Sequence, residues 1–307
     1  MLISIIIPLY NEAENLLLLT ERLQKLSFSG IEKEIIFIDD NSSDKTPELL
    51  EKICTENSNF NFIRLSKNSG SHIAIFAGMH HCKGDAVVFM AGDLQDPPEL
   101  INSLISKWQD GQDVVWAVRE NIEGVTLLSK FLSKSFYFLM NSFANVKFPP
   151  SGADFALMDK KVVNAVLQST GSNPSLGGLI ASVGFKQSEI KYIKKARKFG
   201  KSKWTLNKKI EAFIDAFVAF SFAPMRIMIY TGLIISIIGF LYAIIIIILR
   251  LFFIKQIDGW SSIMVAVLFI GGIQMLMIGT LGEYLWRNLE ESRKKPLFFI
   301  EKKSDTK

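Results

Sequence analysis

Of five short apolar runs early in this 307-residue chain, four end in groups that could do chemistry. The first is followed by Pro8-Leu9-Tyr10-Asn11-Glu12. The second ends in Asp39-Asp40-Asn41-Ser42, the fourth in Gly92-Asp93-Leu94-Gln95-Asp96, and the fifth in Arg119. Asp93 with the amide oxygen of Gln95 makes a sparse, all-oxygen donor set. Mg2+ or Mn2+ is held in this way, by one or two protein oxygens completed by substrate phosphate and water. The chemistry implied is therefore on a substrate that carries its own phosphates. Asp96 reads differently. Asp96-Pro97-Pro98-Glu99 has the form of a helix start, with Asp96 as the N-cap and Pro97 at the first position, so a structural role is expected for it.

The elements that must hold these groups are legible. Leu2–Pro8, Glu34–Asp39, Phe62–Leu65, Ala86–Met90 and Val114–Val118 are short and rich in Ile, Val and Phe. Near-continuous apolar strands suit a parallel sheet covered on both faces. Between them Leu16, Leu19, Leu23 and Leu26 recur at helical spacing, and Thr46-Pro47-Glu48 reads as a capped helix start. The fold class expected is α/β, with a mostly parallel, Rossmann-like sheet. Ligands of such sheets bind beyond the carboxyl ends of the strands, which is where the acidic groups and Arg119 would gather. No Gly-x-Gly-x-x-Gly follows the first strand, so a dinucleotide cradle is not expected.

Hydrophobic residues make up 49% of the chain and are unevenly placed. Ile227–Leu249 is 23 residues without a charge, and Ser261–Gly282 is 22 more. Each exceeds the roughly 20 needed to cross a bilayer as a helix. The net charge of +5 is local in origin: Lys186–Lys209 holds ten basic residues against the single acid Glu189. That cluster abuts the first apolar run, and Arg287, Arg293, Lys294 and Lys295 follow the second. The positive-inside rule then places both termini in the cytosol. A basic stretch against a membrane favours lipid headgroups or phosphate, and no nucleic-acid partner is expected. Trp204–Phe222 has apolar residues at helical spacing among charges, the form of an interfacial helix or of a helix packed on its own domain. Cys54 and Cys82 have no motif spacing and are expected reduced. His80-His81-Cys82 point apart on a helix, so packing is expected rather than a metal site. His72 is open between lining the site and the capping context of a helix start.

The segments "IIIPLYNEAENL", "EIIFIDDNSSDKT", "RLSKNSGSHIAIFAGMHHCKGD", "GDLQDPPELI", "PPSGADFALMDKKVV" and "GKSKW", with the tail "GGIQMLMIGTLGEYLWRNLEESRKKPLF", resemble the family 2 glycosyltransferases. The similarity is greatest to those acting on polyprenyl phosphates, and it runs through nearly the whole chain. It implies a glycosyltransferase A-type fold and inverting, metal-dependent transfer of one sugar from a nucleotide-diphosphate sugar, a UDP-sugar such as UDP-glucose first among them, to polyprenyl phosphate. By this resemblance Pro8, Tyr10, Glu12, Asp39, Asp40, Ser42, Asn68 and Gly92 meet the donor. Asp93 and Gln95 hold Mg2+ or Mn2+, and Asp93, Asp154 and Arg119 are catalytic. Arg197, Lys201 and Lys203 meet the acceptor phosphate.

The implied organisation is a cytosolic donor-binding domain over 1–203, an interfacial helix over 204–222, a two-span hairpin over 223–286 and a cytosolic tail over 287–307. The protein would sit in a bacterial inner membrane as a homo-oligomer assembled through the hairpin. One departure stands out. The family's metal motif is usually Asp-x-Asp, and here its first position is Ala91. An inactive paralogue serving as a membrane scaffold is the alternative that this departure keeps open.

Overall fold

The computed structural model describes residues 1–122, 154–169, 176–194, 223–252, 259–293 and 295–304. The amino-terminal part alternates strand and helix: β1 (Leu2–Leu9), α1 (Ala13–Lys25), β2 (Glu32–Asp39), α2 (Thr46–Glu56), β3 (Phe60–Leu65), α3 (Ser71–Met79) and β4 (Ala86–Phe89). A 3-10 turn at Pro98–Leu100 leads into α4 (Ile101–Gln109), and β5 (Val114–Ile122) follows. Beyond these lie β6 (Ala156–Asp159), α5 (Lys160–Gln168), α6 (Leu176–Ser182), β7 (Gln187–Lys194), α7 (Ala223–Phe252), α8 (Trp260–Ser292) and β8 (Ile300–Lys303).

All five expected strands form, and β1 shows why. Ile3, Ile5 and Ile7 face one core with Leu16, Leu19 and Leu23 of α1. Ile6 faces a second core with Ala74, Phe76 and Ala77 of α3. Alternate side chains leave opposite faces of a strand, so a sheet covered on both sides needs apolar residues at every position.

The sheet order is β7-β5-β6-β4-β1-β2-β3-β8. The block β4-β1-β2-β3 is parallel, and β7 is parallel to β5. The sheet is mostly parallel, as expected, with two reversals: β6 runs antiparallel between β4 and β5, and β8 runs antiparallel beside β3. The sheet is mixed. Reversal has a positional consequence: the residues that precede β6 and β8 lie at the same edge as the carboxyl ends of their neighbours.

One expected cap also shifts. Thr46 is the first residue of α2 rather than its cap. Its amide donates to Asp44 Oδ1 at 3.0 Å, while its hydroxyl accepts from the Glu12 amide at 3.0 Å.

α7 and α8 are 30 and 33 residues long. Within them Ile227–Leu249 and Ser261–Gly282 carry no charge on any face. Ile229, Leu233, Ile237, Phe240 and Ile245 are exposed on α7, and Ile263, Val267, Phe269 and Ile278 on α8. Among the described residues, no helix counts as long and apolar enough to cross a membrane. The two expected spans are therefore not established by the fold itself. The expected interfacial helix at 204–222 lies outside the described residues.

Candidate active site at the carboxyl edge of the sheet

Three of the four strands in the parallel block, β1, β2 and β4, are followed by a residue in the left-handed region. Asn11 after β1 has φ 51°, Asn41 after β2 has φ 59°, and Leu94 beyond β4 has φ 60°. Asn tolerates this conformation, because its short polar side chain bonds locally; a leucine there is an outlier. Backbone held in such regions clusters at functional sites. Leu94 persists because its side chain is buried in the core beside α1 and α4. Its turn sets Asp93 and Gln95 on either side of it.

The β1 and β2 tips are tied together. Ser42 is buried, and its hydroxyl accepts from the Asn11 amide at 2.8 Å. Asn11 Oδ1 accepts from the Ser43 amide at 2.8 Å. Asp39 is fully buried. Its Oδ1 accepts from the Ser42 amide at 3.0 Å, and its Oδ2 pairs with Arg64 Nη1 at 2.6 Å. Asp39 thus holds the turn. Asp40 reaches the other way: its two oxygens accept from the Ser69 and Gly70 amides at 2.7 and 2.8 Å. It fixes the loop that opens α3. Pro8, Tyr10 and Glu12 are half-buried at the β1 tip, and Asn68 is exposed in the Ser69 loop.

Gly92 has a packing reason of its own. A Cβ there would come within 2.3 Å of Leu9 Cδ2. Asp93 is mostly buried, at 7% exposure, and its Oδ1 accepts from the Gln95 amide at 3.2 Å.

Asp96 is not a helix cap, and that expectation is corrected. Pro97 caps the 3-10 turn, without a side-chain bond. Asp96 is fully buried, hydrogen-bonded by the Tyr192 hydroxyl and paired with Lys194 Nζ at 3.2 Å. Glu99 binds Arg22 at 2.6 Å. Burial pushes the Asp96 carboxyl above its ordinary value, and Lys194 and Tyr192 only partly offset this. Tyr192 and Lys194 belong to β7, whose exposed alternation (Gln187, Glu189, Lys191 and Ile193) gave no apolar run to read.

Asp154 lies two residues before β6, so the antiparallel strand delivers it to this edge. Its carboxylate pairs with Nη2 of Arg119 from β5. Desolvation raises the Asp154 carboxyl, but Arg119, Lys194 and His72 outweigh it, and the group sits below its ordinary value. His72, at the start of α3, feels the same carboxylate. Burial lowers its pKa, partly opposed by Asp154. Gly70, not His72, caps α3, so of the two readings left open the site-lining one is favoured.

The neighbouring His80-His81-Cys82 disperse as expected. His80 packs on Phe298, His81 Nδ1 meets the Ala77 carbonyl, and Cys82 Sγ meets the Met79 carbonyl. Both cysteines are free thiols, with burial pushing Cys54 up to about 12 and Cys82 up to about 11. Arg197, Lys201 and Lys203 lie outside the described residues.

Among the described residues, no group of three or more His, Cys, Asp or Glu could hold a metal unaided. Asp93 and Gln95 flank one turn and offer a carboxylate and an amide oxygen. This fits Mg2+ or Mn2+ arriving with diphosphate oxygens better than a resident protein cage.

Residues 4–167, more than half of the chain, match glycosyl transferase family 2. The chain belongs to that family. The glycosyltransferase also matches the GtrB C-terminal hairpin over residues 223–287, which covers α7 and most of α8. A Synechocystis protein called an uncharacterized glycosyltransferase is 38% identical over 299 residues, 97% of this chain and 94% of that one. The prophage bactoprenol glucosyl transferase homolog of Escherichia coli is 33% identical over 303 residues, 98% of this chain and 99% of that one. The bactoprenol glucosyl transferase of Shigella phage SfV is 33% identical over 301 residues, 98% of each. This chain is thus an α/β glycosyltransferase similar to those proteins from end to end.

Proposed function

We propose that this glycosyltransferase moves a single sugar from a nucleoside diphosphate sugar, UDP-glucose being the first donor to test, to polyprenyl phosphate at the cytoplasmic face of a membrane. The observation that carries the reading is the Arg119–Asp154 pair at the same sheet edge as Asp93 and Asp40. The end-to-end likeness to bactoprenol glucosyl transferases supports the lipid acceptor.

α7 and α8 supply the membrane hairpin in this reading. The sequence through Ile227–Leu249 and Ser261–Gly282 is continuous and free of charge, and this supports the reading. At 1.5 Å per residue, each helix exceeds the ~30 Å of a bilayer core. An exposed helix that is apolar all round has no stable place in water. β8 after the hairpin pairs with β3 before it, so both ends of the hairpin return to one sheet. Two spans leave both ends on one side, in keeping with the basic residues at 186–209 and 287–295. Assembly into a homo-oligomer through the hairpin is the further expectation, read by light scattering in detergent.

The acceptor is a phosphate monoester with a second pKa near ~6, already largely dianionic at neutral pH. A strong base is not required. This matches Asp154, whose depressed pKa makes it a poor proton acceptor. Asp154 instead orients Arg119, and the guanidinium is placed to receive phosphate charge. Asp40 and Asp39 fix the loops that receive the nucleoside. Asp93 and Gln95 would hold the divalent ion, which when bound neutralises charge on the departing diphosphate. In-line attack by the acceptor oxygen on the anomeric carbon would invert that centre.

The test is direct. Purified full-length protein is given labelled UDP-glucose, undecaprenyl phosphate and Mg2+ or Mn2+, with other UDP- and GDP-sugars alongside. Label entering the organic phase supports the reading. A folded protein that transfers none of these donors sinks it and returns the scaffold alternative.

A further inference from the structure

The strand β8 follows the hairpin and lies at the far end of the sheet, beside the loops around Asp39 and Asp40. Three contacts lead from it into those loops. Glu301 Oε2 binds Arg64 Nε at 2.9 Å, and the same guanidinium binds Asp39 at 2.6 Å and the Ser42 carbonyl at 3.2 Å. The Phe299 carbonyl accepts from the Ser66 amide at 2.9 Å, at the start of the loop whose Ser69 and Gly70 amides bind Asp40. Asn41 Nδ2 donates to the Leu65 carbonyl at 3.1 Å, with Glu301 Oε2 at 3.5 Å. Asp39 is fully buried, so its placement depends on Arg64, and Glu301 is the second carboxylate that fixes Arg64.

We infer that the carboxyl-terminal strand is part of the donor site, with Glu301 a positioning residue that acts through Arg64 on the Asp39–Ser42 turn. The inference rests on the proposed reading of that turn as the nucleoside pocket. A guanidinium bound by two carboxylates has a fixed plane, and the planar fork transmits that orientation to both partners. Only residues 293–299 separate α8 from β8, so the donor pocket is tied directly to the end of the hairpin.

The experiment measures UDP binding, with Mn2+ present, to the full-length protein in detergent, together with donor and acceptor kinetics. The variants are Glu301→Gln and, as control, Lys302→Ala. Lys302 lies on the same strand but pairs with Glu51 on the exposed side. Glu301 is half exposed, so Glu301→Gln should weaken UDP binding and raise the donor KM by about two- to fivefold. The acceptor KM and kcat should stay within twofold, and Glu301→Asp should restore part of the loss. Lys302→Ala should leave UDP binding unchanged. Equal effects of both variants would mean that the strand is only structural, and unchanged UDP binding in Glu301→Gln would equally overturn the inference; either result leaves the proposed function standing. A wild-type protein that binds no nucleoside diphosphate would sink that function and the inference with it.

Discussion

Arg119 and Asp154 meet across two strands of opposite direction, and the pair sets the protonation behaviour of the site. Asp154 is held below its ordinary value, so it stays ionised as pH falls through the usual carboxylate range. The acid limb of kcat should then follow the acceptor phosphate, near pH ~6, rather than Asp154. Arg119→Gln removes the main lowering partner. The Asp154 pKa should rise, and a second acid limb should appear at higher pH than any Asp154 limb in the wild type. A pH–rate profile that is unchanged in shape in Arg119→Gln would contradict this.

Asp154→Asn keeps the shape of the side chain but removes its charge. We expect kcat to fall about 10- to 100-fold, less than the loss of a full general base can bring. Donor KM should hold within twofold. Steady-state kinetics against both substrates will show the split.

Asp93→Asn should cost about 10²-fold or more in turnover, the scale seen when transition-state charge stabilisation is lost. The melting temperature should move little, since the amide can still accept from the Gln95 backbone. Ala91→Asp restores the acid at the first metal-motif position and should lower the Mn2+ concentration for half-maximal rate. A complete loss of activity there would show that this turn does not hold the ion.

Asp40→Ala should do two things at once. The Ser69 and Gly70 amides lose their acceptor, costing about 1–3 kcal/mol where they are shielded from water. Donor KM should rise with little change in acceptor KM. Thermal melting and donor titration separate the two effects, and an unchanged donor KM would remove Asp40 from the pocket.

Asp96 and Lys194 form a buried ion pair, so removing one partner strands the other. Lys194→Met should destabilise the protein by about 3–5 kcal/mol. The double variant Asp96→Asn/Lys194→Met should recover much of that, because no lone charge remains. Burial raises the Asp96 carboxyl, so its own contribution is largest below the unfolded value and declines as pH rises through the folded one. The stability of Asp96→Asn relative to wild type should therefore improve from acid to neutral pH. Unfolding curves across that range will test the sign.

The parallel core was legible because each of its strands is buried on both faces and announces itself in a run of Ile, Val and Phe. β6, β7 and β8 were not. β6 is four residues long, β7 alternates with solvent-facing Lys and Glu, and β8 is Ile-Glu-Lys-Lys, held by its neighbour rather than by its own apolar content. The groups at the ends of the core strands were found in sequence for the same reason. Asp154 needed a family resemblance, because only the reversal of β6 brings it to this edge. Asp96 was misread because its local pattern suits a cap, while its true partners lie about a hundred residues away on β7. Arg64 gave no signal, since a lone arginine in a strand looks like solvent-facing charge.

The edge of the sheet beside β3 is made by residues 300–303, which leave the ribosome after β3 and after the hairpin. Until they arrive, β3 is a bare edge whose unpaired amides and carbonyls are open to another chain. Synthesis thus orders the events: the apolar hairpin emerges first, and only then is the last seam of the globular part closed. A nascent chain interrupted before that point would carry Asp39, Asp40, Asp93 and Asp154 but lack Glu301 and the cover that guards against mispairing.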